Sequence, residues 1–250
     1  MTHVLLPILF SSLLFVMFLI MDHFRGSIMI SLLKGVTRYH EKSELHTTDL
    51  PSSDQTAIIM FHGFGDTSDG KTLESIGISS PSRSLAGSSS QNDYWLYCYQ
   101  YPYDYSISYW LKDVYRKYKK IASQAKHVIL WGLSFGGWFV LAVAQYLYKR
   151  GITPLLVLSI APFTHWRDLQ MMPSSIYSSS VYGNVSFNRF HDNWHVLASH
   201  GDETIRDTAI QRHYGKYMHL SFTSYPHRHN DIIRSDEYRE WISKNMFIGI

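Results

Sequence analysis

Short continuous apolar runs alternate along this chain with longer stretches whose apolar positions recur every three or four residues. Runs of the first kind suit strands buried on both faces, and the second kind suits helices with one face against a core. Residues 56–61 predict a first strand and 94–99 a second. A helix follows from about Ser108, where Trp110, Leu111, Val114, Tyr118 and Ile121 fall on one side. Residues 127–131 predict a third strand, and 138–148 a strongly apolar helix with Lys149 and Arg150 in its last turn and Gly151 beyond as a stop signal. Three more strands are predicted at 154–160, 195–199 and 217–222, with a helix at 205–214 and a closing helix at 231–246. Residues 67–92, rich in Ser and Gly, predict a loop holding at most one short helix, and 161–193 predict irregular structure.

Strands alternating with helices through short connections predict right-handed βαβ units and an α/β fold, a mostly parallel sheet with helices on both faces. The sequence contains no internal repeat. With 250 residues and 45% hydrophobic content, the chain is able to bury one sizeable core, which argues for one globular domain.

The N-terminal stretch has a different character. No charged side chain interrupts residues 4–21, a run just long enough to span a bilayer. Met1-Thr2-His3 lacks the basic residues of a secretory signal and the segment 22–25 lacks its small-residue cleavage site, so an uncleaved membrane anchor is expected over residues 1–25. Arg25, Lys34, Arg38 and Lys42 all follow the apolar run, and the positive-inside bias then leaves the C-terminal domain on the cytoplasmic side. Residues 26–52 form a juxtamembrane linker in this division, and 53–250 form the globular domain.

Charge narrows the choice of partners. A formal net charge of +3 is too small an excess to argue for nucleic acid, and the densest basic cluster, 116–120, lies within a helix pattern and reads as its solvated face. The single cysteine, Cys98, rules out an internal disulfide framework and, flanked by apolar residues, reads as a buried thiol.

Gly132-Leu133-Ser134-Phe135-Gly136 matches G-x-S-x-G and lies between a buried strand and an apolar helix. The chain there must turn sharply from strand into helix, with the serine in a strained backbone conformation and no room for side chains on either flank. Ser134 is therefore the candidate nucleophile, presented at the edge of the sheet. At these residues the chain resembles the α/β-hydrolase family, and the resemblance extends over about residues 56–246. It implies an oxyanion hole made by two backbone N–H groups, that of Phe64 after the His62-Gly63 pair and that of Phe135 after the nucleophile.

The family order of serine, acid and histidine implies a base beyond the last strand, within 225–231. His229, followed by Asn230-Asp231 as in several family members, is the candidate base, and His227, nearer the strand end, fills the turn. The segment 199–207 resembles the family's Gly-x-x-Asp turn but departs from it, since Thr204 stands three positions beyond Gly201. Asp202 is the first candidate for the acid, Glu203 the second and Asp207 the third; all three equally suit the start of the helix that follows. The His227-x-His229 pair raises the question of a metal, yet no further ligand stands at metal spacing and H-E-x-x-H is absent. The resemblance calls for no cofactor.

These roles imply acyl transfer to Ser134 and then hydrolysis. The stretch 163–193 carries Trp166, Met171, Met172, Tyr177, Tyr182, Phe187 and Phe190, which would pack an apolar acyl or alkyl group or equally serve as core. Together with an anchor, this composition points to a lipid ester, lysolipid or acyl-protein thioester as substrate. Asn184-Val185-Ser186 fits a glycosylation acceptor, discounted for a cytoplasmic domain. Two other readings stay open: a non-catalytic binding module, favoured by the displaced acid, and an acyltransferase using the same nucleophile.

Overall fold

In the computed structural model, the residues described are 50–63, 94–101, 107–162, 191–215, 221–229 and 231–245. The expected anchor at 1–25, nearly all of the linker, Phe64, and the aromatic-rich segment 163–190 lie outside them. Among the described residues no helix is long and apolar enough to cross a membrane.

Among the described residues, six strands form one parallel sheet: β1 (Thr56–Phe61), β2 (Tyr94–Cys98), β3 (His127–Leu133), β4 (Leu156–Ile160), β5 (Trp194–Ser199) and β6 (Ser221–Tyr225), in the order β2-β1-β3-β4-β5-β6. Every pairing is parallel, with Thr56 opposite both Tyr94 and His127. Every residue of β1 and β4 is buried, as expected for inner strands covered on both faces. The chain moves outward from β1 to β2 and then returns to the other side of β1 as β3. The carboxyl ends of β1 and β3 therefore flank the point where strand order reverses, the usual place for a ligand crevice in open α/β sheets.

Among the described residues, three helices cover one face. In α1 (Ile107–Ala122), Trp110, Val114, Tyr118 and Ile121 are buried at helical spacing. Helix α2 (Phe135–Tyr148) is buried almost all round, lying between the sheet and α1, and ends where Gly151 takes a left-handed conformation (φ 74°). Helix α3 (Asp207–Tyr214) adds Ile210 and Tyr214 to the same core. On the opposite face, α4 (Asp236–Asn245) packs Tyr238 and Ile242 over Ile58, Met60, Ile129, Trp131 and Leu158. Trp131 Nε1 donates a hydrogen bond to the Tyr238 hydroxyl at 2.8 Å, pinning this helix to the sheet centre.

Several boundaries differ from the sequence expectation. Helix α2 begins at Phe135 rather than 138: the intrinsic cost of Gly136 and Gly137 in a helix is overridden because they allow it to press against strand backbone. The last described strand is Ser221–Tyr225, paired with β5 from His195 opposite Ser221 to Ser199 opposite Tyr225; it continues past the expected end at 222, while 217–220 lie outside the described residues. Helix α3 starts two residues late because the Asp202 carboxylate occupies the amides of Thr204 and Ile205. Strand β2 stops at Cys98 and β4 begins at Leu156, beyond Pro154, which has no N–H to give to a ladder. The closing helix is broken: a 3-10 turn, Ile232–Arg234, precedes Ser235, which is extended (ψ 154°) and accepts the Tyr238 N–H on its hydroxyl. Cys98 is half-buried rather than buried, with its sulfur 3.7 Å from that of Met60. Leu50 already packs against the main core, three residues ahead of the expected domain start.

Candidate active site

A parallel sheet brings all its strand carboxyl ends to one edge, and the chemistry-bearing residues sit there. Gly63 follows β1, Ser134 follows β3, Asp202 follows β5 and His229 follows β6. Ser134 is half-buried and has φ 58° and ψ −117°, a conformation that L residues rarely adopt. Its N–H donates to the Ile160 carbonyl at 2.8 Å, and its carbonyl accepts the Trp138 N–H at 3.1 Å, so β4 and the first turn of α2 hold the strain in place. The flanking glycines are obligatory. A Cβ at Gly136 would lie 1.9 Å from the Phe61 carbonyl oxygen, and one at Gly132 would lie 2.2 Å from that of Gly136.

The β1 end approaches the serine closely: a Cβ at Gly63 would stand 3.3 Å from Ser134 Cβ and 3.9 Å from its Oγ. His62, buried before it, bonds through Nδ1 to the Gly63 carbonyl at 2.8 Å; a carbonyl only accepts, so Nδ1 carries the proton. The Phe135 side chain is wholly buried among Tyr101, Trp110, Trp138 and Phe139.

Of the three carboxylates considered for the acid, Asp202 is the one against the histidine ring. Its Oδ2 lies 2.6 Å from His229 Nδ1, with the Asp202 side chain fully buried and that of His229 nearly so. Asp202 Oδ1 accepts the N–H groups of Thr204 and Ile205, both at 2.7 Å. That turn lets an aspartate directly after Gly201 reach the histidine, which explains how the loop manages without the family's spacing. Glu203 is exposed and takes the backbone N–H of His229 at 3.3 Å. Hydrogen bonds from its own amide and from that of His229 hold its carboxyl below the usual glutamate range. Asp207 sits in the first turn of α3, where it accepts the Thr208 N–H at 2.6 Å.

The neighbouring histidine is used elsewhere. His227 Nε2 lies 3.0 Å from a carboxylate oxygen of Glu237, which ties the histidine loop to the first turn of α4. Sequence reasoning did not single out Ser199. Its hydroxyl donates to the Tyr225 carbonyl at 2.9 Å, accepts the His227 N–H at 2.9 Å, and also touches the His227 carbonyl. The last residue of β5 thereby clamps the acid-bearing loop to the histidine-bearing one. A buried serine at a strand end was the available signal, but serine is too common there to be distinctive. Among the described residues no group of three or more His, Cys, Asp or Glu side chains is gathered for a metal ion.

No protein-family model and no curated protein sequence matches the chain. Solved structures do. The type II thioesterase BorB from the borrelidin biosynthetic cluster superposes with a TM-score of 0.56 at 11% identity, covering 81% of this chain and 100% of that one. The RedJ thioesterase from the prodiginine pathway in Streptomyces coelicolor gives 0.53 at 11%, with 80% and 95% covered. Est1E from Butyrivibrio proteoclasticus gives 0.51 at 13%, with 78% and 90% covered. Such low identity leaves the backbone as what is shared, and on that backbone, with its reversal of strand order beside the strained serine turn, the chain has the α/β-hydrolase fold.

Proposed function

We propose that this chain is a serine hydrolase that cleaves a carboxylic ester or thioester through an acyl-enzyme on Ser134. The observation that carries the reading is the buried 2.6 Å contact of His229 Nδ1 with Asp202, made at the sheet edge where Ser134 is held strained. A carboxylate at Nδ1 keeps the proton on that nitrogen, leaving Nε2 as the basic atom. His229 takes the Ser134 proton as the hydroxyl oxygen attacks the substrate carbonyl. The N–H groups of Phe64 and Phe135 receive the oxyanion, each worth about 3 kcal/mol of transition-state stabilisation. Collapse expels the alcohol or thiol with the proton from His229, and water repeats the cycle to free the acid.

The substrate we propose has an apolar acyl or alkyl group, on the strength of the aromatic and Met content of 163–193. Residues 1–25 are proposed as a single membrane anchor with the catalytic domain on the cytoplasmic side, which would direct the enzyme to lipid esters, lysolipids or acylated proteins.

Fluorophosphonate labelling of the full chain in detergent tests the reading, with wild type beside Ser134→Ala and His229→Ala. Labelling of wild type that both substitutions abolish is the expected result. Well-folded wild type that does not label would overturn the hydrolase reading in favour of a binding module. Product analysis with added alcohol or thiol then separates hydrolysis from acyl transfer.

A further inference from the structure

Strand β4 reads Leu-Val-Leu-Ser-Ile and is buried along its whole length, yet its fourth residue is polar. Ser159 is wholly buried. A hydroxyl taken from water into such a place costs stability unless it is hydrogen-bonded, and the acyl-transfer scheme above makes no use of it. Ser159 Oγ donates to the Gly137 carbonyl at 2.8 Å, in the first turn of α2 and three residues beyond the nucleophile. The seam around this bond is tight. A Cβ at Gly137 would lie 2.8 Å from the Ile160 carbonyl oxygen and 3.1 Å from Pro162 Cα, so helix and strand meet backbone to backbone. The same Ile160 carbonyl accepts the Ser134 N–H at 2.8 Å.

Ser134 and Ala161 (φ 42°) are the two non-glycine residues with positive φ among the described residues. One planar peptide unit joins them: the Ile160 carbonyl holds the Ser134 N–H, and the Ala161 N–H at its other end donates to the Leu197 carbonyl of β5 at 2.7 Å. The end of β4 is thereby fixed to the next strand and gives the nucleophile turn a firm support. Strained backbone persists only where its surroundings over-determine it, and Ser134 is gripped from two sides. Its N–H is held by Ile160 of β4, and its carbonyl by the Trp138 N–H of α2 at 3.1 Å. Ser159 ties that first turn of α2 to the strand that carries Ile160, so the two grips keep their spacing. We propose that Ser159 is a positioning residue for the nucleophile, its hydroxyl seating the first turn of α2 on β4 and so holding Ser134 in the conformation that presents Oγ to His229. The proposal rests on the serine hydrolase reading above. A reacting atom misplaced by about 1 Å costs up to about 100-fold in rate, while the Asp202–His229 pair, on other strands, keeps its geometry.

Ser159→Ala removes the hydroxyl and strands no partner, because the Gly137 carbonyl keeps its helical donor four residues on, in Leu141. Tyr99→Phe is its control: it also takes a hydroxyl from a buried side chain, but that hydroxyl bonds to Asp113 of α1 at 3.1 Å, away from the serine. Both are measured in the full chain with a short aryl ester, and rates are normalised to the fraction of chains that fluorophosphonate labels at completion, so misfolded protein drops out. For Ser159→Ala we expect kcat and the rate constant of labelling to fall together by about ten-fold, with KM within about two-fold. The pH midpoint of kcat/KM stays at its wild-type value, because the base and its acid are untouched. For Tyr99→Phe all of these stay within about two-fold of wild type. Should the alanine variant not fold, Ser159→Cys, which keeps the stem and offers only a weak donor, is read by the same criteria. Wild-type rates per labelled chain, equal losses in the serine and tyrosine variants, or a displaced pH midpoint would overturn the proposal while leaving the hydrolase reading intact. Absence of wild-type labelling overturns both.

Discussion

Asp202 and His229, separated by 27 positions in the chain, meet at 2.6 Å because β5 and β6 lie side by side and each delivers its loop to the same sheet edge. Replacing Asp202 by Asn leaves the size unchanged but presents an amide that no longer enforces a proton on Nδ1. We expect kcat to fall by about 10³- to 10⁴-fold, while Glu203→Gln, which weakens one part-buried hydrogen bond worth about 1 kcal/mol, changes it by less than about five-fold. Steady-state kinetics on the two variants checks the ranking; a larger loss in Glu203→Gln would reassign the acid.

Gly63 and Gly136 fail differently when enlarged. A methyl at Gly136 would collide with the Phe61 carbonyl at 1.9 Å, backbone against backbone, so Gly136→Ala should cost about 3 kcal/mol or more of stability. At Gly63 the nearest atom is Ser134 Cβ at 3.3 Å, a contact relieved by a small shift. Gly63→Ala should therefore fold near wild-type stability yet lose about ten- to 100-fold in kcat, because the shift moves the nucleophile. Thermal melting and kinetics read side by side separate the outcomes.

Ser199→Ala takes the shared partner from the His227 amide and the Tyr225 carbonyl. Leaving a part-buried amide unsatisfied costs about 1–3 kcal/mol, and the loop carrying His229 should loosen with it. The measurement is denaturant unfolding together with hydrogen exchange at residues 226–229; unchanged exchange there would show that the clamp does not hold the loop.

His195, on β5 with its ring 5.1 Å from that of Trp241, has its pKa lowered by burial. The folded chain thus resists protonation where the unfolded chain, with a histidine near 6.5, accepts it. Stability is then complete above about pH 6.5 and falls as pH drops below it, since the unfolded state binds the extra proton. His195→Phe should have a shallower loss of stability between about pH 7 and pH 5 than wild type, measured by urea titration at each pH. Parallel slopes would assign the acid sensitivity to other groups.

What was legible in the sequence was whatever rests on neighbours along the chain. The apolar runs of β1 and β3, the spacing of Trp110, Val114, Tyr118 and Ile121, the Gly151 stop and the glycine-flanked turn at Ser134 are local patterns, and each element formed close to where it was read. The choice of His229 over His227 and of Asp202 over Glu203 and Asp207 came from a resemblance. No local property separates such neighbours, and three carboxylates within six positions are chemically alike until something faces them. Tertiary structure decided which one faces the imidazole: strand order sets β5 beside β6, and the Asp202 turn on the Thr204 and Ile205 amides aims the carboxylate. The same holds for the start of α2, where close approach to strand backbone outweighed the helix cost of two glycines. Ser199 and Ser159 carry no motif at all. Their importance lies in contacts 28 and 22 positions away in the sequence, and such contacts exist only once the sheet has assembled.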